Sequence, residues 1–89
     1  MPSAQLRIAE EFSVSLVEIY SDNALSRIES AVRNLAQFPE MGSPRVRRCL
    51  VELYGDGLRQ IPVSTLLIVY RYDGRTVDVL ALVYGPAVV

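Results

Sequence analysis

Leu66-Leu67-Ile68-Val69-Tyr70-Arg71-Tyr72-Asp73-Gly74-Arg75-Thr76-Val77-Asp78-Val79-Leu80-Ala81-Leu82-Val83-Tyr84 is the stretch that decides the fold. Residues 66–72 are almost continuously apolar, which suits a central strand covered on both faces. Asp73-Gly74 follows, and glycine accepts the positive φ that a tight hairpin turn demands. Residues 77–84 form a second apolar run, stopped by Gly85-Pro86. Upstream, residues 58–63 read as a third strand. Pro62 inside it cannot donate to a ladder, so that strand belongs at an edge or a bulge. Ser64-Thr65 is short enough to turn it into the next. Residues 48–54, ending at Gly55-Asp56-Gly57, are expected to be extended.

The N-terminal half has other periods. Ala4, Leu6 and Ile8 alternate with Gln5 and Arg7, the mark of a short half-buried strand. From Glu10 the spacing becomes helical, with Phe12, Leu16, Ile19 and Tyr20 on one side and acids in the first turn. Ser21-Asp22-Asn23 reads as a break and a new N-cap. The second helix is the clearest element: Leu25, Ile28, Val32 and Leu35 make one apolar stripe, backed by Ala24 and Ala31. Pro39 ends it, and Gly42 and Pro44 mark a loop. The expected class is α+β, a single domain over residues 1–89. An N-terminal strand leads to a two-helix hairpin packed on one face of a small, mainly antiparallel sheet of three to four strands. The opposite face is expected to be free, as a concave working surface. Tyr70 and Tyr72 are read as packing residues on opposite faces.

A chain of 89 residues buries only about 60–65% of the surface that its unfolded form exposes. Against that, 51% hydrophobic residues and a mean hydropathy of +0.25 are high, and point to a face kept apolar for a partner. The longest apolar run is far below the roughly 20 residues that a bilayer needs, so no membrane contact is expected. The N-terminus lacks a basic start followed by an apolar core. Cys49 is the only cysteine; it is read as a small core residue, and a reducing cytoplasm is the expected setting. There is no His/Cys ligand cluster, so neither a metal nor a cofactor is expected. The net charge is −1, a poor basis for general nucleic-acid binding. Residues 1–40 carry three Arg against six acids; residues 41–89 carry six Arg against four. The second half therefore has a basic side, including Arg45-Val46-Arg47-Arg48.

The order of elements, together with several short motifs, resembles the RelE/ParE superfamily of type II toxins. Leu35-Ala36-Gln37-Phe38-Pro39-Glu40-Met41-Gly42 resembles the family's Leu-x-x-x-Pro-x-x-Gly junction. Residues 54–63 resemble the segment that opens its sheet, Leu67-Ile68-Val69-Tyr70-Arg71-Tyr72 its central strand, and residues 77–85 its last strand. The resemblance implies a cytoplasmic toxin neutralised by a small cognate antitoxin, as a homodimer or in a toxin–antitoxin hetero-oligomer. RelE-like relatives are metal-independent ribonucleases that cut messenger RNA on the ribosome. ParE-like relatives poison DNA gyrase and need only a surface, and such toxins arrest growth and stabilise plasmids.

Metal-free RNA cleavage needs a base, an acid and cations around the phosphorane. This chain has no His and no Lys, and Arg does not deprotonate in proteins. Tyr84 could move a proton, but an ordinary pKa near 10 makes it a slow base. Relatives that cleave RNA carry an Arg at the position of Leu67 and basic residues at Pro86 and Ala87. The catalytic candidates left are Arg59, Arg71 and Tyr84, and whether Tyr84 shares a face with Arg71 depends on strand register. The target-binding candidates are Arg45, Arg47, Arg48, Arg59, Arg71 and Tyr84. The antitoxin-binding candidates are Phe12, Leu16, Ile19 and Tyr20. A ParE-like mode fits these residues best, with a RelE-like ribonuclease as one alternative and a non-toxic dimerising or adaptor domain, or a degenerate toxin relic, as another.

Overall fold

The run at 66–72 forms β3 (Leu66–Tyr72), and three of its residues, Ile68, Val69 and Tyr70, are fully buried. In chain order the elements are β1 (Gln5–Ile8), α1 (Glu10–Val17), α2 (Asp22–Gln37), α3 (Arg48–Tyr54), β2 (Leu58–Val63), β3 and β4 (Thr76–Tyr84). The computed structural model describes residues 4–19 and 21–85. The four strands make one sheet in the order β1-β4-β3-β2, with β1 parallel to β4 and the other two pairings antiparallel. The expected α+β architecture is therefore present, with β3 and β4 central.

Local chemistry explains the boundaries. The Ser21 side chain accepts a hydrogen bond from the Ala24 amide at 3.2 Å, capping α2. Gly74, at φ 99°, supplies the left-handed residue of the β3–β4 turn. The Asp73 side chain accepts from the Arg75 and Thr76 amides at 2.9 and 2.8 Å and closes that turn. β2 is an edge strand, as Pro62 requires. The Gln60 backbone points off the sheet, exchanging hydrogen bonds with Ser43 at 2.9 and 3.0 Å. Pro62, two residues on, turns its missing donor the same way.

The hairpin of α1 and α2 covers one face. Phe12, Ile28 and Leu35 pack there on Val63, Ile68, Tyr70, Val77, Val79 and Leu82. The expectation that the other face is free is corrected. Residues 48–54 are a helix, and through Leu50, Cys49, Val51 and Tyr54 it packs on Leu58, Val69 and Ala81. The physical reason is that Val69 and Ala81 are apolar and would otherwise meet water. An extended segment at the sheet's edge could not cover them, whereas a helical turn lays Leu50 and Tyr54 over them. Gly55, at φ 92°, then ends the helix. A second correction follows from strand parity. Tyr70 and Tyr72 both join the hairpin-side core, as residues two apart in one strand must.

Between β3 and β4 the register shifts by one. Val69 pairs with Ala81 and Tyr70 with Val79, which leaves Leu80 without an opposite residue. Such a bulge reverses the facing of every later side chain in its strand. Val77 and Val79 lie on the hairpin side, whereas Ala81 lies on the α3 side.

Candidate functional site

Among the described residues, two surfaces carry features that the core does not require. The first is a groove beside β1. The Gln5 amide bonds to the carbonyl of Arg75, just before β4, at 3.1 Å and the Ala9 amide to that of Val79 in β4 at 2.9 Å, so the intervening Leu6 and Ile8 amides point away from the sheet. As β1 is a terminal strand, this edge is open. Next to it lies a cavity of about 590 Å³ lined by Leu6, Ile8, Phe12, Leu16, Leu25, Ile28 and Val32, with Glu29 and Arg33 at its rim. The rim pair is itself an ion pair of 2.6 Å. Of the residues expected to meet an antitoxin, Phe12 and Leu16 line this groove. Ile19 is half-buried against the hairpin-side core. Tyr20 lies outside the described residues.

The second surface surrounds the connection from α2 to β2. Arg45, Arg47 and Arg48 are all exposed, while Val46 between them packs on the α3-side cluster. The ion pairs among the described residues are Arg7–Asp78 and Arg33–Glu29, so these three guanidiniums have no carboxylate against them.

The residues considered for chemistry are not gathered together. Arg59 lies opposite Tyr70 on the hairpin side. Its Nη1 donates to the Glu40 and Gly42 carbonyls at 3.1 and 2.8 Å. Arg71 lies opposite Asp78 on the α3 side, and its Nη2 donates to the Tyr54 carbonyl. Both guanidiniums therefore hold backbone in place: Arg59 the junction after α2, Arg71 the end of α3. Tyr84 pairs with Leu66, a residue of the hairpin side. Arg71 and Tyr84 thus point to opposite faces. Without the bulge at Leu80, Tyr84 would have the facing of Asp78 and would share Arg71's side.

Two tyrosines are perturbed. Burial raises the Tyr54 pKa, and a hydrogen bond to Glu11 adds to the shift; its hydroxyl donates to both Glu11 oxygens at 3.0 Å. Burial also raises Tyr70, partly offset by the Gly42 amide and the charge of Arg59. A raised tyrosine is a poorer base at neutral pH, so neither is primed to take a proton.

Sequence reasoning missed the Tyr70 hydroxyl, which donates to the Pro39 carbonyl and accepts from the Gly42 amide, both at 2.9 Å. A Cβ on Gly42 would stand 2.6 Å from that oxygen and 2.7 Å from the ring. Here the Pro-x-x-Gly spacing is a steric fit. Pro39 stops the helix, and three residues on only a glycine can pass the Tyr70 ring.

A family model described as the ParE toxin of the type II toxin–antitoxin system parDE matches residues 6–85. The chain belongs to this family. It is a type II toxin by descent, and its fold agrees. It is similar to a chain of the toxin–antitoxin complex RelBE2 from Mycobacterium tuberculosis, with a TM-score of 0.72 at 19% identity over 94% of this chain and 99% of that one. It is also similar to a chain of the chromosomal ParDE toxin–antitoxin system from P. aeruginosa, with a TM-score of 0.69 at 16% identity over 92% and 96%. No curated protein matches it by sequence. No helix of the toxin's described residues is long and apolar enough to cross a membrane.

Proposed function

We propose that this ParE-family toxin acts by binding: it arrests growth by occupying DNA gyrase, in the cytoplasm, without catalysing a reaction. The observation that carries this reading is the separation of Arg71 from Tyr84 by the sheet, with the Arg59 and Arg71 guanidiniums bonded to backbone carbonyls. An RNA-cleaving site needs acid, base and cations around one phosphate. The exposed Arg45, Arg47 and Arg48 supply a surface for a target instead. The test runs two assays side by side on the purified toxin: gyrase supercoiling and ribosome-dependent messenger RNA cleavage. Inhibited supercoiling with intact message is the expected result. Cleaved message would replace this reading with the ribonuclease one. Absence of growth arrest on induction would leave the adaptor or relic.

Its antitoxin occupies the groove beside β1, in a toxin–antitoxin hetero-oligomer with a plasmid-stabilising role. The support is the coincidence of an open strand edge with an apolar trough, where an extended segment can add backbone hydrogen bonds and bury alternate side chains. Ile8, 45% exposed, tests this. Ile8→Glu is expected to leave the far-ultraviolet spectrum unchanged and to stop the cognate antitoxin from relieving growth arrest. Full rescue by the antitoxin would place its contact elsewhere.

A further inference from the structure

Asn34, Phe38, Pro39, Glu40, Met41 and Tyr72 line an open cavity of about 570 Å³ at the end of α2. Its position is over-determined. Tyr70 and Arg59 together make four hydrogen bonds to the backbone of residues 39–42, and the Met41 amide bonds to the Phe38 carbonyl at 3.0 Å. Yet this fixed turn leaves Phe38 61% and Met41 45% exposed. A rigid element that presents large apolar side chains to water is preorganised for contact, because little entropy remains to be lost when a partner docks.

The lining also says what kind of group fits. Two aromatic residues, Phe38 and Tyr72, belong to the lining, and the Tyr72 hydroxyl is already engaged, donating to the Gly74 carbonyl at 3.1 Å. Glu40 is an exposed residue of the lining, and the ion pairs among the described residues leave its carboxylate without a cation against it. The Arg59 guanidinium holds the Glu40 carbonyl, not its carboxylate. An apolar-stemmed planar cation satisfies all three features. Its stem meets Met41 and Pro39, its face stacks on a ring, and its charge meets Glu40. A phosphate-bearing ligand would meet the carboxylate instead and be repelled.

The geometry points to an arginine side chain of a protein partner as the occupant of this cavity. The cavity shares no lining residue with the groove beside β1, so on the reading that the antitoxin sits in that groove the two contacts are separate. The assignment does not depend on which target the toxin inhibits.

The test is an NMR titration of the full chain, labelled with ¹⁵N, using N-acetylarginine amide as the probe and N-acetylcitrulline amide as its neutral isostere. The arginine probe is expected to move the amides of Phe38, Glu40, Met41 and Tyr72, and the citrulline probe is not. Glu40→Gln, on an exposed side chain, is expected to weaken the arginine probe about three- to fivefold, the worth of an exposed cationic contact. Phe38→Ser is expected to abolish the shifts while the remaining spectrum shows the fold intact. Equal shifts from both probes, shifts that survive Phe38→Ser, or none up to the probe's solubility would each overturn the assignment.

Discussion

Gly42→Ala is the substitution on which the junction after α2 is most exposed to test. Gly42 is not among the residues with positive φ, so alanine meets no dihedral penalty there and the whole effect is spatial. The added methyl would stand 2.6 Å from the Tyr70 oxygen, 2.7 Å from its ring and 3.0 Å from the Gln60 carbonyl. Tyr70 is fully buried and cannot swing aside, so the junction must move off it. Overpacking of this kind costs about 1–3 kcal/mol. Moving the junction also lengthens the 2.9 Å bond from the Gly42 amide to Tyr70, which costs about 1 kcal/mol more. The total of about 2–4 kcal/mol is a large share of the ~5–10 kcal/mol available to a domain this small. At an m-value of about 1–1.5 kcal/mol per molar urea, the unfolding midpoint should fall by about 1.3–4 M. Tyr70→Phe removes the same bond and strands the Pro39 carbonyl, at about 1–3 kcal/mol. The double variant should cost less than the two single ones together, because they share one hydrogen bond. A Gly42→Ala midpoint within about 0.3 M of the parent would refute the close packing of this junction, and with it the steric account of the Pro-x-x-Gly spacing.

Arg59→Ala should lower stability by about 1–3 kcal/mol by urea unfolding, having left two carbonyls without their charged donor. Arg59→Lys should restore only part of the loss, because both bonds leave the terminal Nη1 and the lysine side chain is one bond shorter; full restoration would make the role purely one of charge. Alkaline pH should destabilise the fold through Tyr54 and Tyr70, both raised above 10.0. Above about pH 10 the folded chain keeps protons that the unfolded chain releases, so this contribution is whole below pH 10 and is lost as pH climbs through the raised values. A urea midpoint flat from about pH 8 to about pH 11 would contradict it. Tyr84→Phe, at a side chain 55% exposed and across the sheet from Arg71, should leave growth arrest unchanged on induction; its abolition would put that hydroxyl into the chemistry.

Much of this toxin could be read residue by residue. The stripe Leu25, Ile28, Val32 and Leu35 declares α2, and Asp73-Gly74 declares the turn between the two central strands, because both signals act within a few residues. Pro62 declares an edge or bulged strand, because it lacks one donor, and the strand order makes it the edge. α3 was harder to read. Seven residues do not separate a helical from an extended period, and the signal for a helix there lies outside the segment, in a β3 apolar on both faces that needs a second cover.

The sequence alone therefore settles the four strands and the two helices of the hairpin, though not α3, and that no histidine or lysine is present for proton transfer. The tertiary structure decides who faces whom. The facing of side chains along β4 is a parity, and the single extra residue at Leu80 reverses it. That bulge turns Tyr84 away from Arg71, and it belongs to the pairing of two strands rather than to either strand by itself. The partners of Arg59 and Arg71 are set in the same way, by carbonyls 17 to 19 residues distant in the chain, which no local pattern brings within reach.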